Sequence, residues 1–494
     1  MQKRYIIALD EGTTSARALV YDVYKNEIVK IVNKPLKSIF PNPGWVEQNL
    51  NEIFAAQSSA LSEAVILSGI KPDEIFSIGI TNQRETVALW DSKTGEACCN
   101  AVVWQCRRTA KICEKLQKKG YGTLIREKTG LKIDAYFSAS KIRWMLDNSD
   151  KAQEVLKKGT LKAGTIDSYL IWRLTGNHYT DVTNASRTML LNIKTLEWDK
   201  ELLKLFDIPC DILPKVLDCD SVFGETLFLG KPVLLSGVLG DQQAALFGQG
   251  CVNIGEGKNT YGTGCFMLMN TGDNIVYSDN GLLATVAWRA FGNTKYALEG
   301  SVFNAGSSVS WLKNNLNLIK KSSDTQELAE SVKDTGGVYL VPAFTGLGAP
   351  YWDMEVKGAI SGITLSTTKA HIVRAVLESI AYSSKDVFNC MEKDSNISLS
   401  ELKVDGGAST NDFLMQFQSD ILNIPLLRPK CIESTAMGAI YMSGLKSGAF
   451  SGLNDIIARI EYDKEFKPVM DENMRQEKYR GWIKAVKNAL VKKI

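Results

Sequence analysis

At 494 residues the chain is too long for one ordinary core, so two domains of roughly 200–250 residues each are expected. Its composition, 45% hydrophobic and 23% charged, is that of a soluble globular protein, and a net charge of only +3 with scattered lysines gives no argument for a polyanion-binding surface and sets nucleic acid aside. The two histidines, His178 and His371, exclude a histidine-rich metal site, and the ten cysteines contain no C-x-x-C pair, so free thiols are expected and any metal should be hard and oxygen-bound, as magnesium is.

No apolar stretch approaches the ~20 residues of a membrane-spanning helix. The apolar run before Asp10 is too short for a signal-peptide core, so a cytoplasmic protein is expected. Residues 5–20 read as strand, turn and strand: an apolar run ends in Asp10, turns through Glu11-Gly12-Thr13-Thr14-Ser15 and returns past Arg17. That tip offers backbone N–H groups, hydroxyls and one guanidinium to phosphate oxygens, with Asp10 placed for a magnesium ion. An ordinary polar hairpin would have the same outline.

A return strand is expected near 27–32, then a helix from about 51 to 67 with Asn51 as N-cap and Gly69 as terminator. An apolar strand at 75–80 delivers Thr81-Asn82-Gln83-Arg84-Glu85-Thr86 before a further strand at 87–90. Six polar residues between two buried strands are costly unless they pair with one another or with a ligand. The next strand, 101–104, ends in Trp104-Gln105-Cys106-Arg107-Arg108, and Tyr136 precedes a buried helix that includes Ile142, Trp144, Met145 and Leu146. Core packing accounts for most of these aromatics; Trp104 and Tyr136 differ in sitting beside polar groups at element ends.

The strand at 233–239 runs into Gly240-Asp241-Gln242-Gln243, where a helix begins. Asp241 has the pattern of an N-cap, and it also lies at the carboxyl end of a sheet, where α/β proteins collect their chemistry. Glycines from 248 to 257 mark a domain junction, and the glycine-rich stretch to 264 is the expected hinge for closure. Beyond them Asn259-Thr260-Tyr261-Gly262-Thr263-Gly264 repeats the hydroxyl-and-glycine tip of the N-terminus, which reads as an internal duplication. A helix at 307–316, a glycine- and aromatic-rich loop at 344–353, a long helix at 369–391 and a strand entering Asp405-Gly406-Gly407 complete the second half. Paired glycines at a strand-to-helix turn let the backbone approach a nucleotide. Neither G-x-x-x-x-G-K-[ST] nor G-x-G-x-x-G is present.

Together, Asp10-Glu11-Gly12-Thr13-Thr14-Ser15-Ala16-Arg17, Thr81-Asn82-Gln83-Arg84-Glu85-Thr86, Trp104-Gln105-Cys106-Arg107-Arg108, Gly240-Asp241-Gln242-Gln243, Tyr261-Gly262-Thr263-Gly264 and Asp405-Gly406-Gly407 resemble the glycerol kinases. These are carbohydrate kinases that share the actin and heat-shock ATPase fold, and the resemblance extends from about residue 3 to about residue 450. It implies an α/β protein of two related actin-like (ribonuclease H-like) domains, 1–247 and 248–494, with glycerol held by the first, nucleotide by the second and a cleft between them. It also implies ATP-dependent, magnesium-assisted phosphorylation of glycerol to sn-glycerol 3-phosphate by a homodimer or homotetramer.

Residue by residue, the resemblance puts Arg84, Glu85, Tyr136, Asp241 and Gln242 around the glycerol hydroxyls, with Trp104 and Phe266 over the carbon skeleton. Thr13, Thr14, Ser15 and Arg17 would meet the terminal phosphates, with Asp10 near the metal. Thr263, Gly306, Gly407 and Asn411 would line the rest of the nucleotide site, and Asp241 would be the base. A triol needs charged and amide partners plus an apolar wall, so the chemistry agrees. Ser310 stands where bacterial members commonly carry glutamine. The segment 223–232 lacks the Gly-Gly-x-Arg loop linked to inhibition by fructose 1,6-bisphosphate and the histidine that some members present for phosphorylation, so both controls are expected to be absent. The alternatives are a kinase for another polyol or sugar, against which Arg84-Glu85 and Trp104 argue, and an ATP-driven binding protein on the same fold. A catalytically dead homologue is disfavoured by the presence of Asp10 and Asp241.

Overall fold

The computed structural model describes residues 2–353 and 355–491. In the first half β1 (Tyr5–Glu11), β2 (Ser15–Asp22) and β3 (Glu27–Pro35) form an antiparallel meander. The helix α1 (Leu50–Ser68) then crosses back, so that β4 (Ile75–Asn82) lies parallel to β1. Strand β5 (Val87–Asp91) leaves that sheet and joins a smaller four-stranded one. The strands β6 (Val222–Thr226) and β7 (Val233–Gly240) complete the main sheet in the order β6-β7-β4-β1-β2-β3. Helix α2 (Asp241–Gly248) follows β7 directly.

The second half repeats this sheet arrangement with different connections at its edges. Its strands are β8 (Gly257–Tyr261), β9 (Cys265–Gly272), β10 (Leu283–Ala290) and β11 (Asn293–Val302). They are followed by α3 (Gly306–Asn314), α4 (Lys369–Ser395), β12 (Leu402–Asp405), α5 (Asp412–Leu422), β13 (Leu426–Pro429), α6 (Ser434–Ser447) and β14 (Tyr462–Phe466). The sheet order is β10-β11-β9-β8-β12-β13-β14. Reading outward from each hairpin, β1-β2 and β8-β9, the senses match: antiparallel to the third strand on one side, then parallel, parallel and antiparallel on the other. Strand β10 is the one extra edge. The duplication read from two hydroxyl-rich tips is therefore a duplication of topology.

Two expected boundaries move. The N-cap of α1 is Asn49, whose Oδ1 accepts from the amides of Asn51 (2.9 Å) and Glu52 (3.2 Å). Leu50 is buried in the core, which fixes it inside the helix and leaves Asn51 on the exposed face. The strand expected at 101–104 stops at Val102, because Trp104 turns away to donate its amide to Thr86 Oγ1 (3.1 Å).

Helices α2 and α6 occupy equivalent positions after β7 and β13 and cross each other where the halves meet. The crossing is made backbone to backbone. A Cβ on Gly438 would collide with the Ala244 carbonyl, one on Gly248 with the Ser434 carbonyl, and one on Gly79 of β4 with the Ala439 carbonyl. Around it Leu19, Leu246, Phe247, Ile440 and Met442 form an apolar core fully removed from water. Replacing Gly438 by Ala is expected to cost about 1–3 kcal/mol by overpacking, read as a lower urea midpoint; an unchanged midpoint would mean that the crossing relaxes freely.

Candidate active site

The two hairpin tips face different tasks. In the first, Gly12 donates its amide to the Ser15 carbonyl (2.9 Å) and closes the turn, leaving Thr14 exposed and Thr13 and Ser15 half-buried. Asp10 and Arg17 are cross-strand partners. Arg17 pairs with Asp10 through one nitrogen and with Glu433, at the start of α6, through another. Burial raises the Asp10 carboxyl above its ordinary value against the pull of Arg17. In the second tip Gly262 donates to the Gly264 carbonyl (2.9 Å), and the carbonyls of Gly262 and Thr263 accept from Gly306 (3.0 Å) and Ala305 (2.9 Å). The start of α3 is thereby fixed onto the tip.

All six residues of the run 81–86 are buried, and most of their polar atoms are paired, as burial requires; Thr81 Oγ1 and Arg84 Nε complete no hydrogen bond among the described residues. Asn82 and Asn184 exchange amide hydrogen bonds at 3.1 Å, and Gln83 donates to Glu11 (3.1 Å) and Gln48 (2.8 Å). Arg84 grips Glu299 of β11 with both terminal nitrogens (2.6 and 3.0 Å) and donates to Gln243 Oε1 (3.0 Å). Glu85 takes a left-handed backbone conformation, φ 60°, and its Oε1 accepts from Arg187 Nε at 2.7 Å. Arg187 also donates to Glu299 (2.9 Å). Two guanidiniums and two carboxylates thus form a buried, mutually paired set. Burial alone would raise Glu299; Arg187 and Arg84 outweigh it and bring the carboxyl down to about 2.

One edge of this set opens on Asp241, at the first turn of α2. Arg84 Nε lies 3.1 Å from Asp241 Oδ1 yet completes no hydrogen bond among the described residues. The Asp241 side chain keeps 32% exposure, and desolvation in the cleft raises its carboxyl above the ordinary value, opposed by Arg84 and then by the Gln242 amide and Lys258. A carboxylate that is partly wetted, held by a fixed cation and set at a helix start is suited to accept a proton from an alcohol.

The aromatics form a wall drawn from both halves. Trp104 meets Tyr136 edge-on at 5.6 Å and Phe266 at 6.5 Å, and its indole N–H donates to Thr13 Oγ1 (2.9 Å). The Tyr136 hydroxyl lies 3.5 Å from Arg84 Nη2. From Thr13 through Trp104, Tyr136 and Arg84 to Asp241 the contacts are unbroken. Gln242 is nearly buried, and its Oε1 accepts from Lys258 Nζ (2.6 Å), a fully buried lysine that desolvation lowers to about 8.

A cavity of about 920 Å³ lies in the second half, lined among others by Thr263, Gly306, Gly407 and Asn411 together with Ser310. Thr13, Thr14, Ser15 and Arg17 do not line it and belong to the opposite tip. Asn411 caps α5 through the Leu414 amide (2.9 Å) and also donates to Thr325 (3.1 Å).

The model of the N-terminal domain of the FGGY family of carbohydrate kinases matches residues 5–248, and that of the C-terminal domain matches 257–446. The chain belongs to the FGGY family of carbohydrate kinases. A glycerol kinase of Brachyspira hyodysenteriae is 53% identical over 98% of this chain and 99% of its own, and one of Fusobacterium nucleatum is 53% identical over 98% of each. The crystal structure of Plasmodium falciparum glycerol kinase with ADP superposes with a TM-score of 0.92 at 37% identity, covering 100% of this chain and 99% of that one. A ligand-bound xylulose kinase of Lactobacillus acidophilus gives 0.89 at 25% identity, covering 99% of each.

As a member of this family the chain uses a nucleotide, and no helix among the described residues is long and apolar enough to cross a membrane. Of the residues picked from the sequence, the geometry joins Thr13, Trp104, Tyr136, Phe266, Arg84, Glu85, Asp241 and Gln242 into one cluster. Asp10 and Arg17 form a separate ion pair beside it, and the four second-half residues share the cavity. Sequence reading missed Arg187, Glu299, Gln243 and Lys258. Glu299 carried a usable signal, since it follows the apolar pair Ala297-Leu298 in β11, where a buried charge demands a partner; Lys258, among the polar residues of β8, carried none.

Proposed function

We propose that the protein transfers the γ-phosphate of ATP to glycerol, giving sn-glycerol 3-phosphate and ADP, with glycerol held by the first half (1–247) and the adenine nucleotide by the second (248–494). The unbroken contact chain from Thr13 to Asp241 carries this reading, because it links a phosphate-type hairpin, an apolar wall and a cation-held carboxylate. Trp104 and Phe266 cover the carbon skeleton, while Arg84, Glu85, Tyr136 and Gln242 serve the hydroxyls. Asp241 accepts the proton of the attacking hydroxyl as the new O–P bond forms and the bond to the β-phosphate breaks, releasing ADP. Such transfers depend chiefly on alignment and charge neutralisation, so one carboxylate and a cation clamp suffice. Thr13, Thr14, Ser15 and Arg17 meet the terminal phosphates; Thr263, Gly306, Gly407 and Asn411 line the remainder of the nucleotide site.

The donor set fits magnesium. Asp10 offers carboxylate oxygens of the hard type that magnesium takes, the rest of the ion's shell being supplied by phosphate oxygens and water. When bound, it would neutralise charge on the nucleotide phosphates. The same reading has a cytoplasmic homodimer or homotetramer. Incubation with MgATP and glycerol followed by phosphorus NMR tests it: sn-glycerol 3-phosphate should accumulate with ADP, and ADP without that product would overturn it.

The β6–β7 connection offers neither a Gly-Gly-x-Arg loop nor a histidine. Fructose 1,6-bisphosphate is therefore expected to leave initial rates unchanged at concentrations well above those of the substrates; tight inhibition would show that another surface binds it.

A further inference from the structure

Lys258 is a charged residue at the second position of β8 with no exposure at all. Burying an ammonium is expensive unless every donor is matched, and here three acceptors surround Nζ. They are Gln242 Oε1 (2.6 Å), Thr260 Oγ1 (2.8 Å) and the Phe266 carbonyl (3.1 Å). Two of these belong to its own hairpin and would serve as simple support for the second tip. The third does not: Gln242 lies in the other half, next to Asp241 at the head of α2. The charged groups that Lys258 faces are Asp405 from β12, Glu299 from β11, Arg84 from the turn after β4 and Asp241 itself.

An ammonium only donates, so its bond to Gln242 fixes which way that amide points: the oxygen is taken and the Nε2 end is the one free to serve a ligand oxygen. From this geometry we propose that Lys258 is a positioning residue for phosphoryl transfer. Resting on the functional reading above, it holds the Gln242 amide with Nε2 toward the acceptor and ties the Phe266 wall to the head of α2. Lys258 touches neither substrate nor phosphate and acts through Gln242.

The test is a kinetic double-mutant cycle on the full chain, with Lys258→Met, Gln242→Ala and the double variant assayed for kcat and for KM of glycerol and of ATP. Losing a hydrogen bond to a charged group predicts a fall in kcat/KM for glycerol of about 10- to 100-fold in Lys258→Met, with KM for ATP little changed. The double variant should be no worse than the poorer single one. Met leaves the acceptors unpaired, so Lys258→Gln, which keeps an N–H donor, is run alongside and should recover part of the loss. Additive effects, or parallel losses for glycerol and ATP in both Lys258 variants, would overturn the proposal and leave Lys258 as hairpin support. A wild type that does not respond to glycerol would instead overturn the functional reading, and this proposal with it.

Discussion

Replacing Asp241 by asparagine is expected to lower kcat for glycerol phosphorylation by about 10²- to 10⁴-fold, the range that a positioned general base contributes. The substitution keeps size and one oxygen, so Arg84 and the Gln242 amide retain a neighbour of the same shape. Asp241 does not line the 920 Å³ cavity, so KM for ATP should stay near the wild-type value. Steady-state ADP release with glycerol and ATP varied separately checks both parts. A variant that keeps more than half of wild-type kcat would remove Asp241 from the chemistry.

Glu299→Ala should be the most damaging single change to stability. Arg84 and Arg187 both end on this carboxylate, at 2.6, 2.9 and 3.0 Å, and its loss leaves two buried guanidiniums short of charge. Breaking a buried pair in this way costs about 3–5 kcal/mol, measured as a fall in the urea midpoint. Activity should fall too, because Arg84 would no longer be held with Nε toward Asp241. The sign of the pH dependence follows from the same carboxyl. Lowered to about 2 from an ordinary value of 4.5, it adds stability that is present above the unfolded value and is lost as pH falls through the folded one. In acid, Glu299→Ala and the wild type should therefore converge. A difference that persists unchanged at low pH would refute this.

Much of this arrangement was legible in residue order because local chemistry specified it. The tip at Gly12 and its echo at Gly262 announce themselves through glycine and hydroxyls, and topology then repeats around both. The polar run 81–86 was legible as a demand for partners, but the partners were not. Arg187 and Glu299 sit 102 and 215 residues away from Glu85 and Arg84 respectively, and nothing in spacing connects them. Helix α6 was missed for a related reason. Its glycines and small residues look like a weak helix until Gly79 of β4 and the Ala244 carbonyl are brought against it, and only then does Gly438 acquire a purpose. The cap of α1 shows the limit at the finest scale: Asn49 and Asn51 are equivalent on paper, and burial of Leu50 decides between them.

A glycerol kinase is distinguished most directly by its acceptor dependence. ADP formation from MgATP should be measured with no acceptor, with glycerol, with xylulose and with gluconate, on the same wild-type preparation. Turnover is predicted to be slow alone, strongly stimulated by glycerol and little changed by the two larger acceptors. Stimulation by xylulose or gluconate in place of glycerol, or turnover indifferent to all three, would contradict that prediction.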